Sequence, residues 1–335
     1  MGLNMKRFIV ITSIFPPTDA VKKFARLDGW RLIVVGDKKT PRDWSWEGVQ
    51  FISDRAQKGL NYAILGKLPW NHYARKMIGY LFAIENGAGV IADTDDDNIP
   101  HENWELPRFH QPWNLTLPAQ GFVNIYKYFS DQHIWPRGFP LNRLSKSNDV
   151  FEDDNLAKEI VPVGIWQGLS DGDPDVDAIY RLTSNAPACF HEKSPIVLNK
   201  GTVSPINSQN TTFIKDLFPL LYLPAFVNFR FTDILRGLVA QPILWRAGYY
   251  LGFTKATVCQ KRNPHDFLAD FASEIPAYLY AEKIVEIVDT VVTAKLSIED
   301  NLFNAYEHLC DQKIVKKKEM ALLESWMTDL DRLLA

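Results

Sequence analysis

The run Phe8-Ile-Val-Ile-Thr-Ser-Ile14 is apolar and rich in β-branched residues, and a second run of the same kind, Trp30-Arg-Leu-Ile-Val-Val35, follows it. Continuous apolar runs of this length are typical of strands that are buried on both faces of a sheet. Residues 18–28 lie between them and have apolar side chains at helical spacing. A strand, a helix and a strand within about 30 residues predict a β-α-β unit with two parallel strands.

The same alternation continues to residue 100. We expect a short strand at Val49–Ile52, a helix over residues 71–86 that Gly87 ends, and another strand at Gly89–Ala92. After residue 100 the pattern is mixed, and residues 265–335 are mainly helical. The sequence therefore predicts an α/β fold with a mostly parallel central sheet and a helical C-terminal extension. We place the domain boundary after residue 270, which gives domains at residues 1–270 and 271–335.

An acidic run, Asp93-Thr-Asp-Asp-Asp-Asn98, directly follows the predicted strand at Gly89–Ala92. Ligands of open α/β sheets bind at the carboxyl ends of the strands, so this run should lie at the binding edge. Neighbouring carboxylates repel one another unless a cation neutralises them, and Mn²⁺ or Mg²⁺ suits carboxylate and phosphate oxygens. Alternate residues of an extended chain face the same way, so Asp95 and Asp97 are the candidate metal ligands and Asp96 could reach a ribose. The alternative is a solvated acidic loop.

The bulk composition excludes several classes of partner and location. A net charge of −3 gives no field that favours nucleic acid or an anionic membrane. No apolar stretch approaches the ~18 residues of a transmembrane segment. Three widely spaced cysteines fit neither a disulfide framework nor a zinc site, so we expect a reducing, cytoplasmic environment. Pairing of the C-terminal helices (277–335) between chains could give a homo-oligomer.

Longer strings carry a family resemblance. Arg75-Lys-Met-Ile-Gly-Tyr-Leu-Phe-Ala-Ile-Glu-Asn-Gly-Ala88 and the acidic run up to Pro100 resemble the STELLO glycosyltransferases, with support from Trp135–Leu141, Gln167–Leu182 and Pro205–Thr211. More distantly, the chain is similar to the reversibly glycosylated polypeptides. The resemblance implies a GT-A fold, a nucleotide-sugar donor, for which we expect a UDP-sugar, a divalent metal and a carbohydrate or glycan acceptor.

The resemblance also implies which residues hold the donor. In GT-A folds the end of the first strand, here Thr12 and Ser13, holds the base and ribose, and Asp37 after the second strand has a similar place. Such polar residues are also common turn formers. Arg75 could reach the base or the diphosphate, because a guanidinium fork suits phosphate oxygens, or could be a surface cation.

Two further segments supply donor-site candidates. Arg137 lies in a loop with prolines on both sides, where a donor-binding and a structural role are equally open. Asp177 belongs to the segment Asp175–Arg181, which resembles the family segment expected to line the active site. Turn formation alone would account for much of the aspartate pattern there.

The last candidate residues are a general base, a cation that would bind the diphosphate, and a metal ligand. Asp233 follows Thr232 at a predicted helix start, where GT-A enzymes that invert the anomeric centre often carry their general base; N-terminal helix stabilisation would also explain it. Arg262 and His265 follow a predicted strand, in the order in which many GT-A enzymes place a diphosphate-binding cation and a late metal ligand. A surface or capping histidine is the alternative.

We therefore expect a metal-dependent glycosyltransferase that moves a sugar from a nucleotide-diphosphate donor to an acceptor hydroxyl. One alternative is a sugar-nucleotide mutase like the reversibly glycosylated polypeptides, which uses the same donor site without a separate acceptor. The other is a GT-A scaffold that has lost catalysis, although the complete acidic run argues against it.

Overall fold

The computed structural model describes residues 5–105, 107–119, 121–145, 151, 156–184, 186–262 and 265–334. These residues form a large mixed sheet with helices packed around it, which confirms the predicted α/β class. The strands described are β1 (Lys6–Thr12), β2 (Trp30–Val35), β3 (Val49–Ile52), β4 (Ala88–Thr94), β5 (Asn98–Pro100), β6 (His110–Leu115), β7 (Gly121–Phe122), β8 (Ala157–Gly172), β9 (Ile196–Leu198), β10 (Thr202–Val203), β11 (Asn210–Ile214) and β12 (Tyr250–Gln260).

The helices described are α1 (Asp19–Phe24), α2 (Asp54–Gln57), α3 (Lys76–Glu85), α4 (Tyr126–Phe129), α5 (Ala178–Thr183), α6 (Thr232–Arg246), α7 (Phe267–Val291), α8 (Ile298–Asp311) and α9 (Lys318–Leu334). Among the described residues, no helix has both the length and the apolar character that a membrane crossing needs.

The order of the main sheet is β3-β2-β1-β4-β11-β8-β6-β9-β12-β5. The pairs β1–β2, β1–β4 and β2–β3 are parallel, so the predicted β-α-β unit is confirmed. β11 is antiparallel to both β4 and β8, and β12 is parallel to β8. Hence β1, β2, β3, β4, β8 and β12 run in one direction, and their carboxyl ends share one edge of the sheet.

Helix α3 shows how tightly the N-terminal layer is packed. It follows a 3-10 helix at Tyr73–Arg75, so the predicted helix over residues 71–86 is confirmed in two parts. A Cβ added to Gly79 would lie 2.5 Å from Val10 Cγ1, which is closer than van der Waals contact allows. The helix ends at Glu85, and Gly87 beyond its cap has φ +80°, the left-handed conformation that favours glycine.

The C-terminal helices pack directly on the rest of the chain. Buried side chains of α7, α8 and α9 belong to the same hydrophobic cluster as those of α3 and α6. Helix α7 begins at Phe267, three residues before the boundary that we placed after residue 270. The division into domains at residues 1–270 and 271–335 therefore stays a prediction, while the packing joins the two parts through a shared core.

A carboxylate of α9 fixes the loop before α6. Glu319 is fully buried, and its side chain accepts hydrogen bonds from Tyr222 Oη (2.5 Å) and from the backbone N–H groups of Ala225 (2.9 Å) and Phe226 (2.8 Å). Without this carboxylate, the buried Tyr222 hydroxyl and the buried Ala225 N–H would lose their short hydrogen bonds. Glu319 therefore anchors the helical extension to the chain that leads into α6.

We expect Glu319→Ala to lower the free energy of unfolding by about 3 kcal/mol or more, because it leaves buried donors unpaired. Denaturant titration measures the effect. The matched control is Glu324→Ala on the exposed face of the same helix, with an expected change within about 0.5 kcal/mol. Equal stabilities of the two variants would contradict the anchoring role.

Candidate active site

The shared carboxyl edge of the parallel strands borders a cleft of about 430 Å³. Eleven of the twelve site residues predicted from the sequence line it: Thr12, Ser13, Asp37, Arg75, Asp95, Asp96, Asp97, Arg137, Asp233, Arg262 and His265. They follow different strands and loops, so chain topology rather than sequence proximity brings them together. The position agrees with the general location of ligand sites in open α/β sheets.

The acidic run does not point into the cleft as a whole. Strand β4 continues through Asp93, whose side chain is fully buried between Lys76 Nζ (2.6 Å from Oδ1) and Arg236 Nη1 (2.8 Å from Oδ2). This ion triad joins α3, β4 and α6 beneath the cleft. Burial alone would lower the pKa of Lys76, but Asp93 and Asp95 outweigh it and raise that pKa. Asp93 is thus a structural residue, and three carboxylates remain at the edge.

Asp95, Asp96 and Asp97 are half-buried and each has a different polar partner. Asp95 Oδ1 accepts from Lys76 Nζ and Tyr73 Oη, both at 2.8 Å. Asp96 Oδ2 accepts from Ser13 Oγ (2.5 Å), and Asp97 Oδ2 accepts from Gln260 Nε2 (2.9 Å).

Burial raises the pKa of all three carboxyl groups, to about 6 for Asp96 and about 7 for Asp97. The charge of Asp95 adds to the effect at both neighbours. Desolvation and mutual repulsion therefore make the ionised cluster costly by itself.

The carboxylate oxygens of Asp95, Asp96 and Asp97 show how well this cluster suits a divalent cation. Asp97 Oδ1 is buried and accepts no hydrogen bond from the described residues. Carboxylate oxygens are suitable donors for Mn²⁺ or Mg²⁺. In the described part of the chain, however, no three His, Cys, Asp or Glu side chains form a ready metal-binding group. Asp95, Asp97 and His265 are therefore not a preassembled set, and a cation would need further oxygens from a substrate.

Another part of the cleft lining is a buried network of arginines and carboxylates, which we call the arginine wall. Arg137 Nε and Nη2 donate to Asp175 at 2.8 and 2.7 Å, and Nη2 also lies 3.0 and 2.9 Å from the two oxygens of Asp233. Arg230 Nη2 pairs with Glu274 (2.8 Å) of α7. Although burial opposes it, the guanidinium groups of Arg137 and Arg230 hold the pKa of Asp175 well below its usual value.

Asp233 lies in the first turn of α6, as predicted, but its carboxylate is already engaged. Besides Arg137, it accepts from the backbone N–H groups of Ile234 (3.0 Å) and Ser208 (3.2 Å). A general base must accept a proton from the acceptor hydroxyl. To accept that proton, Asp233 would first have to give up one of these hydrogen-bond donors.

Arg262 and His265 reach the cleft from the segment after β12. Arg262 Nε pairs with Asp173 at 2.9 Å, and His265 Nδ1 lies 3.0 Å from Asp270 Oδ2 on α7. His265 is thus positioned by a carboxylate of α7 rather than by the acidic run. Its role as a metal ligand stays a prediction.

The remaining cleft residues of the prediction lie near β1 and β2. Asp37 accepts hydrogen bonds from the backbone N–H groups of Lys38 (2.7 Å) and His72 (3.2 Å). Arg75 is almost fully buried, donates to Gln57 and has its guanidinium carbon 3.4 Å from the centre of the Trp70 ring. Arg75 is therefore held in place and is not a surface cation.

Asp177 does not lie in the cleft lining. It is fully buried at the N-terminus of α5, where Oδ1 accepts from Tyr180 N (2.9 Å) and Oδ2 accepts from Trp135 Nε1 (2.6 Å). Helix capping accounts for this residue, and the structure gives no support to the predicted contact with the donor. The neighbouring Asp175 reaches the cleft in its place.

Sequence reasoning missed several residues of the lining, notably Lys39, Gln209, Phe229, Arg230 and Gln260. Gln209 and Gln260 lie at the ends of β11 and β12, and strand-end position was the signal that could have found them. Arg230 is flanked by two phenylalanines just before α6, and no local pattern marks it as a cleft residue.

Comparison with known proteins finds similarity to the STELLO glycosyltransferases. The model of the STELLO glycosyltransferases matches residues 230–334. The chain is 29% identical to "Probable glycosyltransferase STELLO2" and 28% identical to "Probable glycosyltransferase STELLO1", both of Arabidopsis thaliana, over 98% of its own length. The chain is similar to the STELLO glycosyltransferases.

The alignments with the two STELLO proteins cover 98% of this chain but only part of the relatives. The alignments include 45% of each STELLO protein, so the chain spans less than half the length of the relatives it matches. The family-model segment contains Arg230, Asp233, Arg262 and His265, whereas the acidic run lies outside it. The large sheet with C-terminal helices is consistent with the GT-A-like fold that the STELLO resemblance implies.

We expect Asp93→Asn to destabilise the protein by about 3–5 kcal/mol, because it leaves Lys76 and Arg236 buried without a counter-charge. Asp96→Asn, made in the half-buried part of the same run, should change stability far less. Guanidinium unfolding of both variants measures the difference. If Asp93→Asn were as stable as the wild type and impaired only ligand binding, Asp93 would be a ligand-binding residue.

Proposed function

We propose that the chain is a glycosyltransferase that binds a nucleoside diphosphate sugar, preferably a UDP-sugar, in the cleft with Mn²⁺ or Mg²⁺. The observation that carries this proposal is the pairing of three edge carboxylates with an arginine-rich wall across one cleft. The names of the two STELLO relatives support the reaction class.

The polar groups suggest how the donor is oriented. Ser13 and Asp37 follow β1 and β2 and belong to the cleft lining, and we propose that they hold the base and ribose. Arg262, Arg230 and the exposed Lys39 offer positive charge to the diphosphate. Guanidinium groups match phosphate oxygens in charge and geometry.

Asp95 and Asp97 would hold the cation, with Asp97 Oδ1 as the donor atom that has no other partner. When bound, the cation supplies charge neutralisation to the diphosphate leaving group. Asp95 is fixed by Lys76 and Tyr73, so it is oriented before any ligand arrives. Gln260 holds the second oxygen of Asp97 in the same way.

Asp233 is the residue that we propose as general base for an inverting transfer. The hydroxyl of the acceptor, a carbohydrate or glycan, would lose its proton to this carboxylate as it attacks the anomeric carbon. The reaction requires that Arg137 release one oxygen of Asp233, since both are engaged. Arg137 remains held by Asp175 through two hydrogen bonds during such a release.

A thermal-shift titration tests the donor site. UDP with Mn²⁺ should stabilise the wild type by about 2.7 kcal/mol at a concentration 100 times Kd, and each component alone should do much less. Asp97→Asn should abolish the effect of the combination, because it removes one charge from the cation site. Its melting temperature without ligands should not fall, since the replaced charge is desolvated and repelled by Asp95.

The matched control for that titration is Asp19→Asn, an exposed carboxylate in the first turn of α1. It should retain the full response to UDP with Mn²⁺. Retention of the response in Asp97→Asn as well would contradict the proposed cation site.

A second measurement concerns the base. Asp233→Asn should lower kcat for sugar transfer by about 10²–10⁴-fold while the donor KM changes little, because general-base catalysis acts on the transition state. Steady-state kinetics with a UDP-sugar and an active acceptor gives both constants. An unchanged kcat would remove Asp233 from the mechanism without affecting the case for the donor site.

A further inference from the structure

Gln209 brings a nearly buried amide to the cleft. The residue is 6% exposed and belongs to the cleft lining. Its backbone N–H donates to Asn207 Oδ1 (2.9 Å), and its backbone carbonyl accepts from Thr94 Oγ1 (2.7 Å) and Asn98 Nδ2 (3.0 Å). Both polar groups of its backbone are therefore held by side chains, and the side chain starts from a fixed position.

Two amides in series connect Gln209 to the acidic run. Gln209 Nε2 donates to Gln260 Oε1 (2.6 Å), and Gln260 Nε2 donates to Asp97 Oδ2 (2.9 Å). An ionised carboxylate only accepts hydrogen bonds, so Gln260 must turn its NH₂ group to Asp97 and its oxygen to Gln209. Gln209 must then give its own NH₂ group to Gln260. The carboxylate of Asp97 thus sets the direction of both amides.

The atom of this chain that is left for a ligand is Gln209 Oε1. None of the hydrogen bonds formed by the described residues reaches this oxygen. An amide oxygen that is nearly buried and unpaired costs free energy, and a ligand in the cleft can supply the missing donor. Ionised phosphate oxygens have no proton to donate, whereas a sugar hydroxyl does. The oxygen therefore suits the sugar part of a nucleotide-sugar and not its diphosphate.

The order of the sheet places Gln209 beyond the diphosphate. Along the shared edge, β2, β1, β4 and β11 are consecutive neighbours. They carry Asp37, Ser13, the acidic run and Gln209 in that order, because β11 is antiparallel to β4 and begins at this edge. Neighbouring strands are about 4.8 Å apart, so β2 and β11 are separated by about 14 Å. A donor with its nucleoside at Asp37 and Ser13 and its diphosphate at the acidic run has its sugar near Gln209.

We propose that Gln209 Oε1 accepts a hydrogen bond from a hydroxyl group of the donor's sugar and so selects which sugar is transferred. The inference rests on the proposed function and deepens it, since it assigns a residue to the part of the donor beyond the nucleotide. A sugar that lacks this hydroxyl, or orients it away, leaves the amide oxygen unpaired and binds less well. Because Gln260 holds the NH₂ group, the amide cannot turn over to suit such a sugar.

Isothermal titration calorimetry with Mg²⁺ tests the proposal without an acceptor. The ligands are UDP, UDP-glucose, UDP-galactose and UDP-xylose. Gln209→Met keeps the side-chain length and removes the amide, so it should weaken at least one UDP-sugar about 5–10-fold, as expected for one neutral hydrogen bond. The Kd for UDP should change less than about twofold. Gln50→Met, at an exposed position of β3, is the matched control and should bind every ligand as the wild type does.

Donor analogues test whether the contact is direct. In analogues of the UDP-sugar that binds tightest, fluorine replaces one hydroxyl at a time, and fluorine cannot donate a hydrogen bond. One analogue should bind the wild type about 5–10-fold more weakly than its parent. The same analogue should lose nothing further in Gln209→Met, because that variant already lacks the contact. A structural role of Gln209 would give independent losses instead.

The outcomes separate this proposal from the proposed function. Failure of UDP with Mg²⁺ to bind the wild type would overturn the donor site, and the role of Gln209 with it. If UDP binds, the role of Gln209 alone is overturned by any of three results: no UDP-sugar binds, Gln209→Met weakens UDP as much as the UDP-sugars, or the losses are independent for every analogue. Melting curves check folding, and Gln209→Ala provides the same comparison should Gln209→Met fail to fold.

Discussion

The buried aspartate of β4 is the constraint on which the site depends. Asp93 has no access to solvent and is neutralised by Lys76 from α3 and Arg236 from α6. Placing one carboxylate and two cations in the core requires nearly ideal geometry, since desolvation of each charge is costly. The three elements are consequently fixed relative to one another, and both the acidic edge and the start of α6 keep their positions. Lys76 also forms an ion pair with Asp95 and so fixes the position of that carboxylate.

Asn207 connects the two charged networks below the cleft, the triad of Asp93, Lys76 and Arg236 and the network around Arg137. Asn207 accepts from Arg236 with its backbone carbonyl (2.9 Å) and donates from Nδ2 to Asp175 (2.9 Å). Through Asp175 the contact continues to Arg137 and from there to Asp233. The carboxylate edge and the arginine wall are thus parts of one hydrogen-bonded assembly. Because low dielectric strengthens each contact and penalises each unpaired group, such an assembly favours a single geometry.

The sequence predicted those parts of the fold and site that local pattern encodes. Strands β2 and β3 have the predicted bounds, since apolar runs and turn residues mark buried parallel strands directly. Strand β4 is longer than predicted, because Asp93 looks like part of a polar loop until its two cationic neighbours are known. Asp177 was predicted to contact the donor but is buried outside the cleft lining, because an aspartate that caps a helix and one that faces a ligand have the same local sequence. Arg230 could not be found, because its place depends on Glu274, 44 residues away.

The contact between Arg230 and Glu274 has a consequence for how the chain can be divided. The wall of the cleft that contains Arg230 and His265 is supported from α7, by Glu274 against Arg230 and by Asp270 against His265. A shortened chain that ends at residue 270 would keep every described strand of the sheet and all of the acidic edge, yet it would remove Glu274, the carboxylate nearest to Arg230. Helix α7 is accordingly part of the framework of the cleft, and a shorter fragment that keeps the cleft intact has to include it.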